Sequence, residues 1–354
     1  MALKIEDIWG QYGLDTLQQG LDTLFPEYNI SLNRLLEQLL QGNFLGCITG
    51  FMQGSVLSLL NYMQSLKNIL IWVLILGIAS SLITYFVEMF DKHQVADLSF
   101  FFLYLLFMTV LLRCFQETAM VTVDVLENIV VFMQLMIPTY MLAVGVAAGV
   151  GTATAMYPLM LGLIYIVEQF LKQGLLPFIH IYMMLNMING IWVEEKLTLL
   201  IGLVEKGIST MLKGAMWVVT GISVFQSLIH PVISSVKTTL LHKVISVIPG
   251  IGNAAEGVAE LVLGSATVIK NSIGIICLVV LFLICAAPLL YIFILSWTLK
   301  IAAAMLGIVS DKRLTDCTNR VGEGCMMFFR TASTGVVLFI ISITVIALAT
   351  NRGI

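Results

Sequence analysis

The chain has 354 residues, of which 59% are hydrophobic and only 11% charged, with a mean hydropathy of +0.99. A soluble domain needs about 25% charged residues to face water, so this composition excludes one. It points instead to an all-α, polytopic integral membrane bundle whose first partner is the lipid bilayer. A net charge of −3 and a pI near 5.8 give no basic surface for phosphate backbones, so no nucleic-acid partner is expected.

Residues 1–66 differ from the rest and are expected to form an extramembrane, amphipathic helical region, with 67–354 as the multi-span domain. Glu6, Asp7, Asp15, Asp22, Glu27 and Glu37 outnumber Lys4 and Arg34. Over 7–25, Ile8, Trp9, Tyr12, Leu14, Leu17, Leu21 and Leu24 recur near helical spacing, and Pro26 stops the pattern. A second helix is expected near Asn29 or Ser31, with Ser31 as its cap. The apolar core of a secretory signal is missing here. An outside N-terminus then requires a leader removed upstream of this numbering, or a first span that carries the segment across.

Gly42, Gly46, Gly50 and Gly54 recur every four residues, and Ser58 continues the row. On a helix they make a smooth stripe that lets two backbones approach closely. Such a stripe serves either intramolecular packing or association of copies into a homo-oligomer. Gly145 and Gly149 repeat the spacing once, where packing is the simpler reading.

Apolar runs at 69–90, 98–112, 129–149, 153–171, 175–192, 273–299 and 331–350 read as seven spans, and 214–229 as an eighth. A turn is expected at Gln173-Gly174. Pro138, Pro158, Pro177 and Pro288 interrupt four of these runs. Lys300, Lys312, Arg313, Arg320 and Arg330 form a basic loop before the last span, which the positive-inside rule makes cytoplasmic. Counting back through eight spans puts both termini and the acidic stretch 117–127 outside. Two amphipathic helices, 193–213 and 248–271, are expected at the membrane surface, the second after a Pro249, Gly250, Gly252 hinge.

Catalytic constellations are not found. The six cysteines form no CxxC pair, and spacings of eight residues are too long for a disulfide along a helix, so buried thiols are expected. The four histidines have no metal-ligand spacing, and no metal or cofactor is expected. Gly250 to Ala255 fits a loose GxGxxA dinucleotide pattern, but Pro249 precedes it directly and Lys270-Asn271 stand where a ribose-binding acid belongs. There is no GxxxxGK[ST], so the chain is not itself an ATPase. His180 lies within an apolar run near Asn186 and Asn189, which makes the three a candidate intramembrane polar site or a set of interhelical hydrogen bonds. Glu256 and Glu260, one turn apart, are either a cation or proton-relay pair or a solvated face.

Residues 247–275 (VIPGIGNAAEGVAELVLGSATVIKNSIGI) and the N-terminal EDIWGQYGLDTLQQGLDTLFPEYNISLNRLLEQLLQGNF are similar to the stage III sporulation protein AE family of endospore-forming bacteria. The order of parts agrees: acidic amphipathic N-terminus, several spans, Pro-Gly segment, basic stretch, last span. Family members usually begin with a cleaved signal peptide, whereas this chain starts directly at the EDIW region.

The resemblance implies a non-enzymatic channel or scaffold subunit in the mother-cell membrane around the forespore. Its implied partners are other stage III sporulation membrane proteins, a separate secretion-type ATPase and a forespore channel protein, together forming a secretion-like feeding tube. A secondary transporter is the alternative, since broken helices and midplane polar groups are what transporters use.

Overall fold

The computed structural model describes residues 14–24, 31–35, 64, 66–83, 85–86, 93–190, 196–245 and 252–349, with the side chains at 24, 93–98, 100, 222–245, 252–263, 265, 345, 346, 348 and 349 left out. Every described element is helical. They are α1 (Leu14–Leu24), α2 (Leu66–Ile83), α3 (His93–Ala148), α4 (Val150–Gln169), a π-helical stretch (Phe170–Leu175), α5 (Leu176–Asn189), α6 (Thr198–Ile245), α7 (Gly252–Val309) and α8 (Lys312–Ala349).

The all-α membrane bundle is as the composition requires. Five described stretches are long and apolar enough to cross a bilayer: Leu66–Ile83, Phe101–Ala148, Val150–Asn189, Ala266–Val309 and Lys312–Thr344. Among the described residues the expected seven or eight spans are not confirmed: neighbouring runs fuse into single helices, and the expected eighth run, 214–229, lies on a helix whose side chains from 222 on are outside the described residues. The runs 98–112 and 129–149 lie on α3, whose 56 residues make a rod about 84 Å long. The polar stretch between them stays helical because it keeps a buried face of Cys114, Phe115, Thr118, Ala119, Thr122, Val125, Leu126 and Ile129 at helical spacing. The expected surface helices 193–213 and 248–271 are not separate elements either, being absorbed into the opening turns of the long α6 and α7. Gly252 opens α7, and Pro249 and Gly250 lie outside the described residues.

Gln173-Gly174 is not a turn. It lies in the π-helical stretch, so α4 and α5 run on as one stack. The reversal falls at Gly149, a single residue with φ 97° between α3 and α4, a backbone region that favours glycine. A Cβ on Gly145 would lie 3.6 Å from that of Ala153 across this hairpin, so Gly145 packs the two arms. Pro138, Pro158 and Pro288 sit inside continuous helices and break none of them, and Pro177 falls in the first turn of α5. Membrane helices tolerate internal proline because packed neighbours satisfy the freed carbonyls.

α8 is the centre of the bundle and touches α3, α4, α5, α6 and α7. Leu314, Cys325, Phe328 and Ala332 on it are fully buried. α3 and α8 run parallel: Phe115 stacks on Phe328 at 5.0 Å between ring centroids, Thr118 Oγ1 lies 3.4 Å from Cys325 Sγ, and further along Leu126 meets Gly335. The acidic stretch 117–127 of α3 thus runs beside the 325–335 part of α8. The basic loop is helix as well, since only Ser310 and Asp311 separate α7 from α8.

α2 docks beside the end of α7, with Ser81 Oγ donating to the Val309 carbonyl and Ser310 Oγ to that of Gly77 at 3.4 Å. α1 buries Leu14, Leu17 and Leu21, the face its spacing predicts, and Gly20 lies against Leu135 of α3. Ser31 Oγ accepts from the Arg34 amide at 3.5 Å, at the expected cap. The glycine row at 42–54 lies outside the described residues.

Candidate functional site

Where α5 ends and α6 and α8 begin, the helices leave a polar cleft of about 480 Å³. Tyr182 and Asn186 of α5 line it, with Thr198, Ile201, Gly202 and Glu205 of α6, and Lys312, Asp316, Asn319, Arg320 and Glu323 of α8. The five α8 residues recur at intervals of four, three, one and three, which places them on one helical face. That face starts at a firm cap. Asp311 Oδ1 accepts from the Arg313 amide at 2.8 Å, as an N-cap carboxylate does.

The inner wall is braced across helices. Arg320 donates to Asn186 Oδ1 at 3.1 Å, while Asn186 Nδ2 donates to the Tyr182 carbonyl at 2.8 Å. Tyr182 OH donates to Glu323 at 3.3 Å, and Asn319 Nδ2 reaches the same carboxylate at 3.5 Å. α8 is held close beneath by Ser296 Oγ, which donates to the Gly322 carbonyl at 2.7 Å. A Cβ on Gly322 would meet Ser296 O at 3.2 Å and Lys300 Cγ at 3.1 Å, so the close approach of α7 and α8 depends on glycine there. At the outer wall, no hydrogen bond or ion pair engages Glu205, Asp316 or Lys312 within the described residues.

The three polar residues singled out from sequence do not form one site. Asn186 is in the cleft. Asn189, also buried, accepts from the Leu197 amide at 2.9 Å and ties the α5–α6 turn. His180 donates from Nδ1 to the Leu176 carbonyl at 2.8 Å and packs edge-on against Phe115 and Phe328. Glu256 and Glu260 stand on α7, with side chains outside the described residues. Sequence reasoning misses Tyr182, Arg320 and Glu323, although the periodicity of polar residues along 312–323 is an available signal.

Other ionisable groups lie on the apolar stretches. Lys172 of the π-helical stretch lies 2.7 Å from Glu127 of α3 and 3.4 Å from Glu168. Tyr291 OH donates to Glu117 at 2.6 Å, and Lys270 on α7 is fully buried. Cys114, Cys277, Cys285, Cys317 and Cys325 are free, buried thiols. No cluster of three or more metal-ligating side chains occurs among the described residues.

The fold and the cleft thus define a polytopic all-α membrane protein with a braced polar cleft at one end of its central helix. A family profile described as stage III sporulation protein AE matches residues 30–350. The chain belongs to that family. Stage III sporulation protein AE of Bacillus subtilis (strain 168) is 20% identical to it over 264 residues, covering 74% of this chain and 66% of that protein, just under two thirds of the relative's length. No solved structure matches.

Proposed function

We propose that this chain is a non-enzymatic channel or scaffold subunit of a secretion-like assembly in the mother-cell membrane facing the forespore. Membership of the sporulation family over residues 30–350 carries this reading. The bundle contributes a platform: α8 is in contact with six other helical segments, and the cleft beside it leaves Glu205, Asp316 and Lys312 open to a partner. The partners in this reading are other stage III sporulation membrane proteins, a separate secretion-type ATPase and a forespore channel protein. Affinity purification of the tagged chain from sporulating cells tests it. Recovery of several membrane proteins of that apparatus is expected, and recovery of none would overturn the assembly reading.

A secondary transporter is the second reading, and the ionisable groups within the spans favour it. Intramembrane charges are costly and mark ion or proton paths, and Lys270 and the Glu117–Tyr291 pair are of that kind. The purified chain in liposomes, assayed for ion-driven solute uptake, separates the two. Coupled uptake without any partner would displace the scaffold reading.

A further inference from the structure

We propose that the cleft between α5, α6 and α8 is a binding site for a zwitterionic headgroup that joins a primary ammonium to a phosphate. The distribution of charge around the cleft carries this, independently of any role in an assembly. The inner charges are committed: Arg320 to Asn186, and Glu323 to Tyr182 and Asn319. The outer ones are not. Glu205 from α6 and Asp316 from α8 offer carboxylates, and Lys312 offers an ammonium, all lining the same space.

A cation alone would leave Lys312 unanswered, and an anion alone would face two free carboxylates. A ligand carrying both signs satisfies the set. Its phosphate pairs with the Lys312 ammonium at the open wall. Its ammonium donates to Glu205 and Asp316, which as carboxylates can only accept. An ethanolamine ammonium has three N–H donors for this. A choline group has none, so the site discriminates between two headgroups of equal charge.

The volume fits as well. About 480 Å³ lies within the range of small-molecule sites and holds a headgroup without its acyl chains. For those chains the same turns of α6 present Leu199, 92% exposed, and Leu203, 69% exposed, next to the lining residues Ile201 and Gly202. An apolar ledge beside a doubly charged cleft suits a phospholipid. The same headgroup chemistry also occurs in soluble glycerophosphoethanolamine, which lacks the chains.

The test uses the full purified chain in mild detergent. Binding of short-chain phosphatidylethanolamine, phosphatidylcholine and phosphatidylglycerol, and of soluble glycerophosphoethanolamine, is measured by calorimetric titration. Phosphatidylethanolamine is expected to bind at least about fivefold tighter than phosphatidylcholine. Glu205→Gln combined with Asp316→Asn should abolish that preference while leaving phosphatidylcholine unchanged, and Lys312→Gln should weaken both. Stronger binding of the lipid than of its soluble headgroup assigns the membrane as the source, and equal binding assigns a free solute. Equal affinity for ethanolamine and choline lipids, a preference for phosphatidylglycerol, or no binding of any probe overturns the proposal. The three substitutions are at the open wall and should leave the gel-filtration profile intact. A double variant that aggregates is replaced by Asp316→Asn alone, for which the same reduced preference is required.

Discussion

The two halves of α8 use polar residues in opposite ways. In the first half, Arg320 and Glu323 reach other helices and brace the cleft. In the second half the hydroxyls turn back on their own helix: Thr331 donates to the Met327 carbonyl, Ser342 to Leu338 and Thr344 to Ile340. A local bond of this kind satisfies the hydroxyl without fixing a neighbour. Thr315 and Thr318 of the first half also bond locally, but among the described residues the first half alone adds specific pairs to other helices through Arg320 and Glu323.

The junction between the halves is the most sensitive point. Phe328 is fully buried between Phe115 and His180, and Phe328→Ala should destabilise the bundle most, by about 3 kcal/mol or more. The midpoint of thermal unfolding in detergent reads this directly. Next comes Gly322→Leu, which drives a side chain against Ser296 and Lys300. Overpacking there should cost about 1–3 kcal/mol and loosen the cleft.

Arg320→Leu removes a charge-assisted bond to a buried amide, for about 1–2 kcal/mol. A double-mutant cycle with Asn186→Leu should show coupling between the two sites, and strict additivity would remove the bracing role given to this pair. At the small end, Ser342→Ala should shift stability by under about 0.5 kcal/mol, since its hydroxyl bonds only its own helix. A large loss at Ser342 would erase the distinction between the halves.

Much of the architecture is readable from hydrophobic runs, because lipid-facing and core-facing residues are both apolar and the run lengths survive. Continuity is not. Arg113, Glu117, Asp124 and Glu127 interrupt the apolar run of α3, and a charge interruption reads as a loop. The helix persists because those charges leave a continuous buried face of Phe115, Leu126 and Ile129, a pattern a strict periodicity count detects. The same bias hides the cleft. Residues 312–323 carry enough charge to resemble a loop, although their polar stripe is helical. Asn186 is legible as an amide in an apolar run, but its partner Arg320 is 134 residues away, and no local signal connects the two.

The length of α3 has a mechanical consequence. A continuous helix of 56 residues is a stiff lever, with no loop along it to absorb displacement. If one end of a rod about 84 Å long is held, a tilt of about 5° carries the other end through about 7 Å, more than one helical turn. α3 is in contact with α7 and α8, so those helices must share the movement. A small change of angle where the cleft lies would therefore appear as its largest displacement at the Gly149 hairpin.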